Sequence, residues 1–165
     1  MAFYLITPST ARFQPIADTD TVKNHELGRR VQAFDPTYGT GEFIYLLGVA
    51  STAVGSWVTY NADDYSTTLL APNAIGPVAV SMSANVASQY GWYQIFGKAV
   101  GKALASYADN ALVWGTSTAG SVDDAVADGD LVHLAKGASA VGTPSSGLAE
   151  FEIQYPYTDD ITTND

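Results

Sequence analysis

Glu150 and Glu152 stand two apart in an alternating stretch, a spacing that puts both carboxylates on one face of a strand. A glycosidase uses such a pair, one acid to protonate the leaving oxygen and one to act as base or nucleophile. Solvated strand glutamates show the same spacing, however, and the neighbouring residues supply no cleft. Asp123, Asp124, Asp128 and Asp130 crowd around Gly129, and carboxylates at short intervals suit a hard cation. The calcium-loop order D-x-[DN]-x-[DN]-G is missing and no glutamate closes the run. A polar loop ending in an Asp-Gly-Asp turn before residue 131 is the expectation. Ser117, in Gly115-Thr116-Ser117-Thr118-Ala119-Gly120, resembles a nucleophile turn, but the second glycine falls one residue late for G-x-S-x-G. That segment is expected to be a loop. The two histidines, His25 and His133, come without any cysteine, which excludes thiolate metal sites and disulfides. His133 in Leu131-Val132-His133-Leu134 is expected to be a partly exposed strand residue. His25, in the polar run Lys23-Asn24-His25-Glu26, is expected to be solvated. No enzyme, no cofactor and no metal site is expected.

Aromatic side chains offer contact instead. Residues 90–97 (YGWYQIFG) hold four aromatics and two glycines. In a strand, Trp92, Gln94 and Phe96 share one face while Tyr93 and Ile95 share the other. Large apolar groups on both faces describe a central strand buried on both sides. The competing reading gives one face to a partner, because Trp and Tyr are enriched at binding hot spots.

The elements that must position these groups read as strands. Apolar runs are short, rich in Val, Ile, Thr and aromatics, and bounded by Gly or by polar clusters. Strands are expected at 41–50, 56–61, 67–70, 76–83, 90–103, 111–116, 131–135 and 148–155. In the last, Leu148, Phe151, Ile153 and Tyr155 share a face if a bulge follows Leu148. Helix is confined to a turn or two near 84–88 and 102–107. A faint echo between 48–80 and 101–151, each with a glycine-led strand and a Trp strand, fits two similar units closing one barrel. The fold class expected is mainly β, a compact β-barrel or β-tulip-like sandwich with an extended N-terminal arm and little helix.

Three regions follow: an arm over 1–30, a β-rich body over 31–156 and an acidic tail over 157–165. The arm carries a net charge of +1 and the remaining 135 residues −11, within a total of −10. An acidic body repels phosphate backbones, so no nucleic-acid partner is expected. The N-terminus has neither a basic leader nor a small-residue cleavage pattern, and no apolar run nears the roughly 20 residues of a membrane span. Synthesis in the cytoplasm and no membrane partner are the expectations. Pro8 and Pro15 interrupt the arm, whose scattered aromatics suit either folding over the core or docking on another subunit. The partner-binding candidates are Phe3, Tyr4, Leu5, Arg12, Phe13, Arg29, Arg30 and, from the body, Trp92.

The runs 34–50 (FDPTYGTGEFIYLLGVA), 76–82 (GPVAVSM) and 90–99 (YGWYQIFGKA) resemble those of small virion proteins of tailed phages, the capsid cement or head decoration family. The likeness covers roughly residues 30–155. It implies a compact β-barrel or tulip-like body on the capsid exterior, with the major capsid protein and neighbouring copies, as a trimer at threefold positions, for partners. It supplies no active residues. A carbohydrate-binding β-module displayed on a virion or cell surface is the alternative; exposure of Trp57, Trp92 or Trp114 would favour it.

Overall fold

The structure is a computed structural model that describes residues 4–5 and 13–162. Among the described residues, twelve strands form one branched sheet: β1 (Tyr4–Leu5), β2 (Thr19–Asp20), β3 (Arg30–Asp35), β4 (Gly39–Leu47), β5 (Trp57–Tyr60), β6 (Thr67–Leu69), β7 (Gly76–Ser81), β8 (Tyr90–Lys102), β9 (Leu112–Gly115), β10 (Val122–Asp123), β11 (Leu131–Gly137) and β12 (Leu148–Thr158). The main path runs β1-β3-β4-β8-β7-β12-β11-β9-β10, with β2 on β8 and the β5–β6 pair on β7. The fold is therefore mostly β. It is not the barrel expected from the sequence, because β1 and β10, at the two ends of the path, do not pair with each other. No helix occurs among the described residues. Positive φ at Ser88 (62°) and Ser106 (77°) breaks both stretches where a helical turn was expected.

Local chemistry explains the best-formed hairpin. Asp35, itself buried, accepts the Thr37 and Tyr38 backbone N–H groups at 2.7 and 3.0 Å. Gly39 then takes φ +75°, which returns the chain from β3 into β4. In β3, Ala33 and Asp35 turn inward and Gln32 and Phe34 outward. The sequence reading missed this strand, since its inward face is built from small and charged residues.

β8 organises the molecule. Its first half pairs with β4, Tyr45 opposite Trp92, and its second half with β12, Ala99 opposite Phe151. Gly97, at φ +101°, is where it changes partner, and a Cβ there would lie 2.5 Å from the Thr40 carbonyl oxygen. Trp92, Tyr45 and Phe43 pack with Ile16 and Met82 on one side of the β4–β8 pair. Tyr93, Ile95, Ile44 and Val58 pack on the other. A third cluster, built on Trp57, Tyr107 and Phe151, fills the space beneath β7, β12, β11 and β9.

Two expectations about the last strand are corrected. In β12 it is Ala149, Phe151 and Ile153 that face inward, and the shift comes at Tyr155 (φ 54°) rather than after Leu148. The strand also continues through Thr158, two residues into the stretch expected as tail, because Tyr157 and Thr158 pair with Pro77 and Gly76.

Candidate binding surface

Several of the residues that invited a catalytic reading are engaged in ion pairs or hydrogen bonds. Glu150 receives Lys98 Nζ at 2.6 Å and Glu152 receives Lys136 Nζ at 3.2 Å. Asp130 is buried and accepts the Asn73 backbone N–H at 2.6 Å, while Asp124 accepts that of Ala108 at 2.9 Å. Both carboxylates hold loops in place. Ser117 is exposed in a loop. Among the described residues no three His, Asp or Glu converge on a point that could hold a metal ion.

The partner-binding candidates divide sharply. Phe3 and Arg12 lie outside the described residues. Tyr4 is exposed, and Tyr4 and Leu5 pair with Phe34 and Ala33 at the edge of β3. Trp92, expected among the contact residues, is wholly buried, and its indole N–H donates to the Gln14 carbonyl at 2.9 Å. Phe13 stacks on it, with ring centroids 5.4 Å apart. These contacts belong to a strap, residues 13–27, folded over one face of the β4–β8 pair. Gln14 is its anchor. The Gln14 amide donates to the Asp18 and Tyr90 carbonyls at 2.9 and 2.8 Å, and its Oε1 accepts the Tyr45 hydroxyl at 2.7 Å and Asn24 Nδ2 at 3.1 Å. His25, expected in solvent, is 5% exposed. Its local sequence is polar, but the strap turns it onto Phe13, Tyr45 and Trp92.

Arg29 and Arg30 remain exposed, and Arg30 lines a groove in the surface. That groove, about 420 Å³, is lined by Arg30, Tyr60, Ile75, Pro77, Tyr155 and Tyr157. A second groove of about 430 Å³ shares Tyr60, Ile75 and Pro77 and continues along Thr59, Asn61, Ser66 and Thr68. Ile75, 71% exposed, forms the ridge between them.

Strand pairing explains why the aromatics point outward. Between Ile153 and Tyr157, β12 spends four residues where β11 spends two, from Ala135 to His133. The surplus makes a bulge at Gln154–Tyr155, which lifts the Tyr155 ring out of the sheet. Tyr155 then packs on Phe96 at 5.5 Å, lies under the Arg30 guanidinium at 5.9 Å and donates its hydroxyl to Glu42 Oε2 at 2.9 Å. That bond to a carboxylate, with some burial, raises the Tyr155 pKa above its ordinary value of 10.0. Tyr60 is raised mainly by burial, with Arg30 opposing the shift through its charge and a hydrogen bond. Tyr157 stacks on His133 at 4.7 Å, and His133 is 3.4 Å from Asp159. Phe34, Phe96, Tyr155, Tyr157 and Ile75 are all more than one-third exposed.

Of the groove residues, Arg30 alone is among the partner-binding candidates, although Phe96 and Tyr155 were assigned to strand faces. The available signal was Tyr155-Pro156-Tyr157, where a proline and two tyrosines interrupt strict alternation at a strand end. Trp57 and Trp92 are fully buried and Trp114 is half-buried. In comparisons with known proteins, the chain matches no family model, no curated protein and no solved structure.

Proposed function

We propose that this chain is a virion structural protein that attaches to the outside of a tailed-phage capsid and stabilises it, with the Arg30–Tyr155 groove as its contact surface. The observation that carries the reading is the group of exposed aromatic and aliphatic side chains around an exposed arginine, on a chain of net charge −10. Aromatics and arginine are the residue types that dominate binding energy at interfaces. The resemblance of residues 34–50, 76–82 and 90–99 to cement and decoration proteins supports the capsid as partner. It also supports a tulip-like description of the body and neighbouring copies as further partners, as a trimer at threefold positions. A stabiliser acts by binding the assembled shell better than its separated subunits, so it needs contact area and no reactive group. A standard interface covers about 800 Å² per partner, near a tenth of the 7698 Å² surface of this chain.

The second groove, with hydroxyl and amide groups beside Tyr60, is the observation that favours a carbohydrate-binding module. Burial of Trp57 and Trp92 counts against it.

Co-sedimentation with empty expanded capsids tests the first reading. Saturable, stoichiometric binding is expected, and Arg30→Glu with Ile75→Asp should weaken it at least roughly tenfold, as loss of a hot spot does. Both side chains are exposed, so the melting temperature should barely move. Absence of binding at micromolar concentrations refutes the capsid reading, and binding to an oligosaccharide array in its place supports the second.

A further inference from the structure

His25 is a buried imidazole that the contact surface does not use, and both of its ring nitrogens face groups that can only donate. Nε2 is 3.2 Å from the Gln14 backbone nitrogen and accepts its N–H. Nδ1 is 3.2 Å from Arg29 Nη1, a guanidinium nitrogen with no acceptor capacity. A neutral ring offers one lone pair to these two donors, and either tautomer satisfies one of them. An imidazolium offers none. It would aim two N–H groups at two donors and set a second positive charge against Arg29. The ring is sealed by Phe13, Tyr45 and Trp92, with centroids 5.2–5.3 Å away, so little water can intervene.

We infer that His25 is a proton-operated latch: neutral, it holds residues 13–27 on the β4–β8 face, and protonated, it releases them. The charged and titratable groups around it agree. From its own segment comes Arg29, which opposes protonation. From β4 comes Tyr45, whose hydroxyl is given to Gln14 and whose pKa burial pushes up. From β8 comes Tyr90, stacked on Tyr45 at 6.4 Å. The nearby carboxylates are turned to other partners: Asp20 accepts from Val22 N–H and Asn24 Nδ2, and Glu26 pairs with Lys23. Among the described residues, the charge that acts on the His25 imidazole is that of Arg29, and it opposes protonation. Burial first, and then the Arg29 charge, lower the His25 pKa from its ordinary 6.5. Release would also free the Gln14 carbonyl from the Trp92 indole and uncover the Trp92 ring, so an apolar surface hidden at neutral pH becomes available in acid.

The test is acrylamide quenching of tryptophan emission against pH in a Trp114→Phe background, which leaves Trp57 buried outside the strap and Trp92 beneath it. One proton is linked to opening, so the open population should rise about tenfold per pH unit below about 6.5. His25→Gln should abolish this slope, and His133→Gln should leave it intact. Arg29→Gln removes the like charge and should move opening to lower pH. Because His25→Gln could disturb packing, imidazole resonances of the otherwise unchanged protein are followed as well; His25 should ionise only as the strap opens. A flat quenching profile, an equal slope in His25→Gln, a slope lost in His133→Gln instead, or a His25 that ionises with the strap closed overturns the latch.

Discussion

Gln14→Ala should unfold this protein far more easily than an N-terminal substitution ordinarily does. Four side-chain hydrogen bonds end on Gln14. Asn24 and the Asp18 carbonyl lie near the surface and recover water when the amide is removed. The Tyr45 hydroxyl is buried and does not. A buried group left unsatisfied costs about 1–3 kcal/mol, so the loss should be at least about that much. Urea unfolding followed by tryptophan fluorescence, extrapolated to water, measures it. Gln14→Glu is the sharper variant. It keeps an acceptor for Tyr45 but sets a carboxylate oxygen against the Asp18 and Tyr90 carbonyls, which lie 2.9 and 2.8 Å from Nε2. It should therefore destabilise at least as much as alanine, despite matching the shape of glutamine. A loss below about 1 kcal/mol for alanine, or a milder effect of glutamate, would refute the argument that residues 13–27 are part of the core.

Gly101→Ala should cost about 1–3 kcal/mol in thermal unfolding, because its Cβ would sit 2.6 Å from Trp57 Nε1 and 3.2 Å from Phe151 Cε2, between two rings packed edge to face. Alkali should destabilise the fold. Burial is the main cause raising the pKa values of Tyr93 and Tyr107 above 10.0, so the folded state holds protons that the unfolded chain has released. Stability is full below pH 10 and falls as pH rises above it. In an absorbance titration at alkaline pH, these phenols should stay silent until the circular dichroism signal of the fold collapses.

How far the sequence could be read depends on whether the cause of each feature is local. β8 was legible because Trp92, Tyr93 and Ile95 place large apolar groups on both faces, and only a central strand can bury both. The β-rich character followed in the same way from short runs of β-branched and aromatic residues. β3 was not legible, since its inward face is Ala33 and a carboxylate, Asp35, that earns its burial by closing a turn. His25 was misread because polarity along Lys23-Asn24-His25-Glu26 says nothing about Trp92, far away in the chain, that covers it. Tyr155 faces outward because β12 and β11 spend different numbers of residues over the same distance. That difference belongs to the pairing and to neither strand alone.

The place of β12 in the sheet also sets an order of events during synthesis. Residues 148–158 lie between β8, β7 and β11, so the middle of the sheet waits for nearly the last segment of these 165 residues to leave the ribosome. Until then the second half of β8, with Ala99 and Val100, has an open flank, and the hydrophobic cluster around Trp57 lacks Phe151 and Ile153. A nascent chain in that condition carries an unpaired strand edge, and chaperone binding or misassociation with another nascent chain competes with completion. Ribosomes stalled just before residue 148 should therefore display a protease-sensitive, aggregation-prone chain, although most of its strands have already been made.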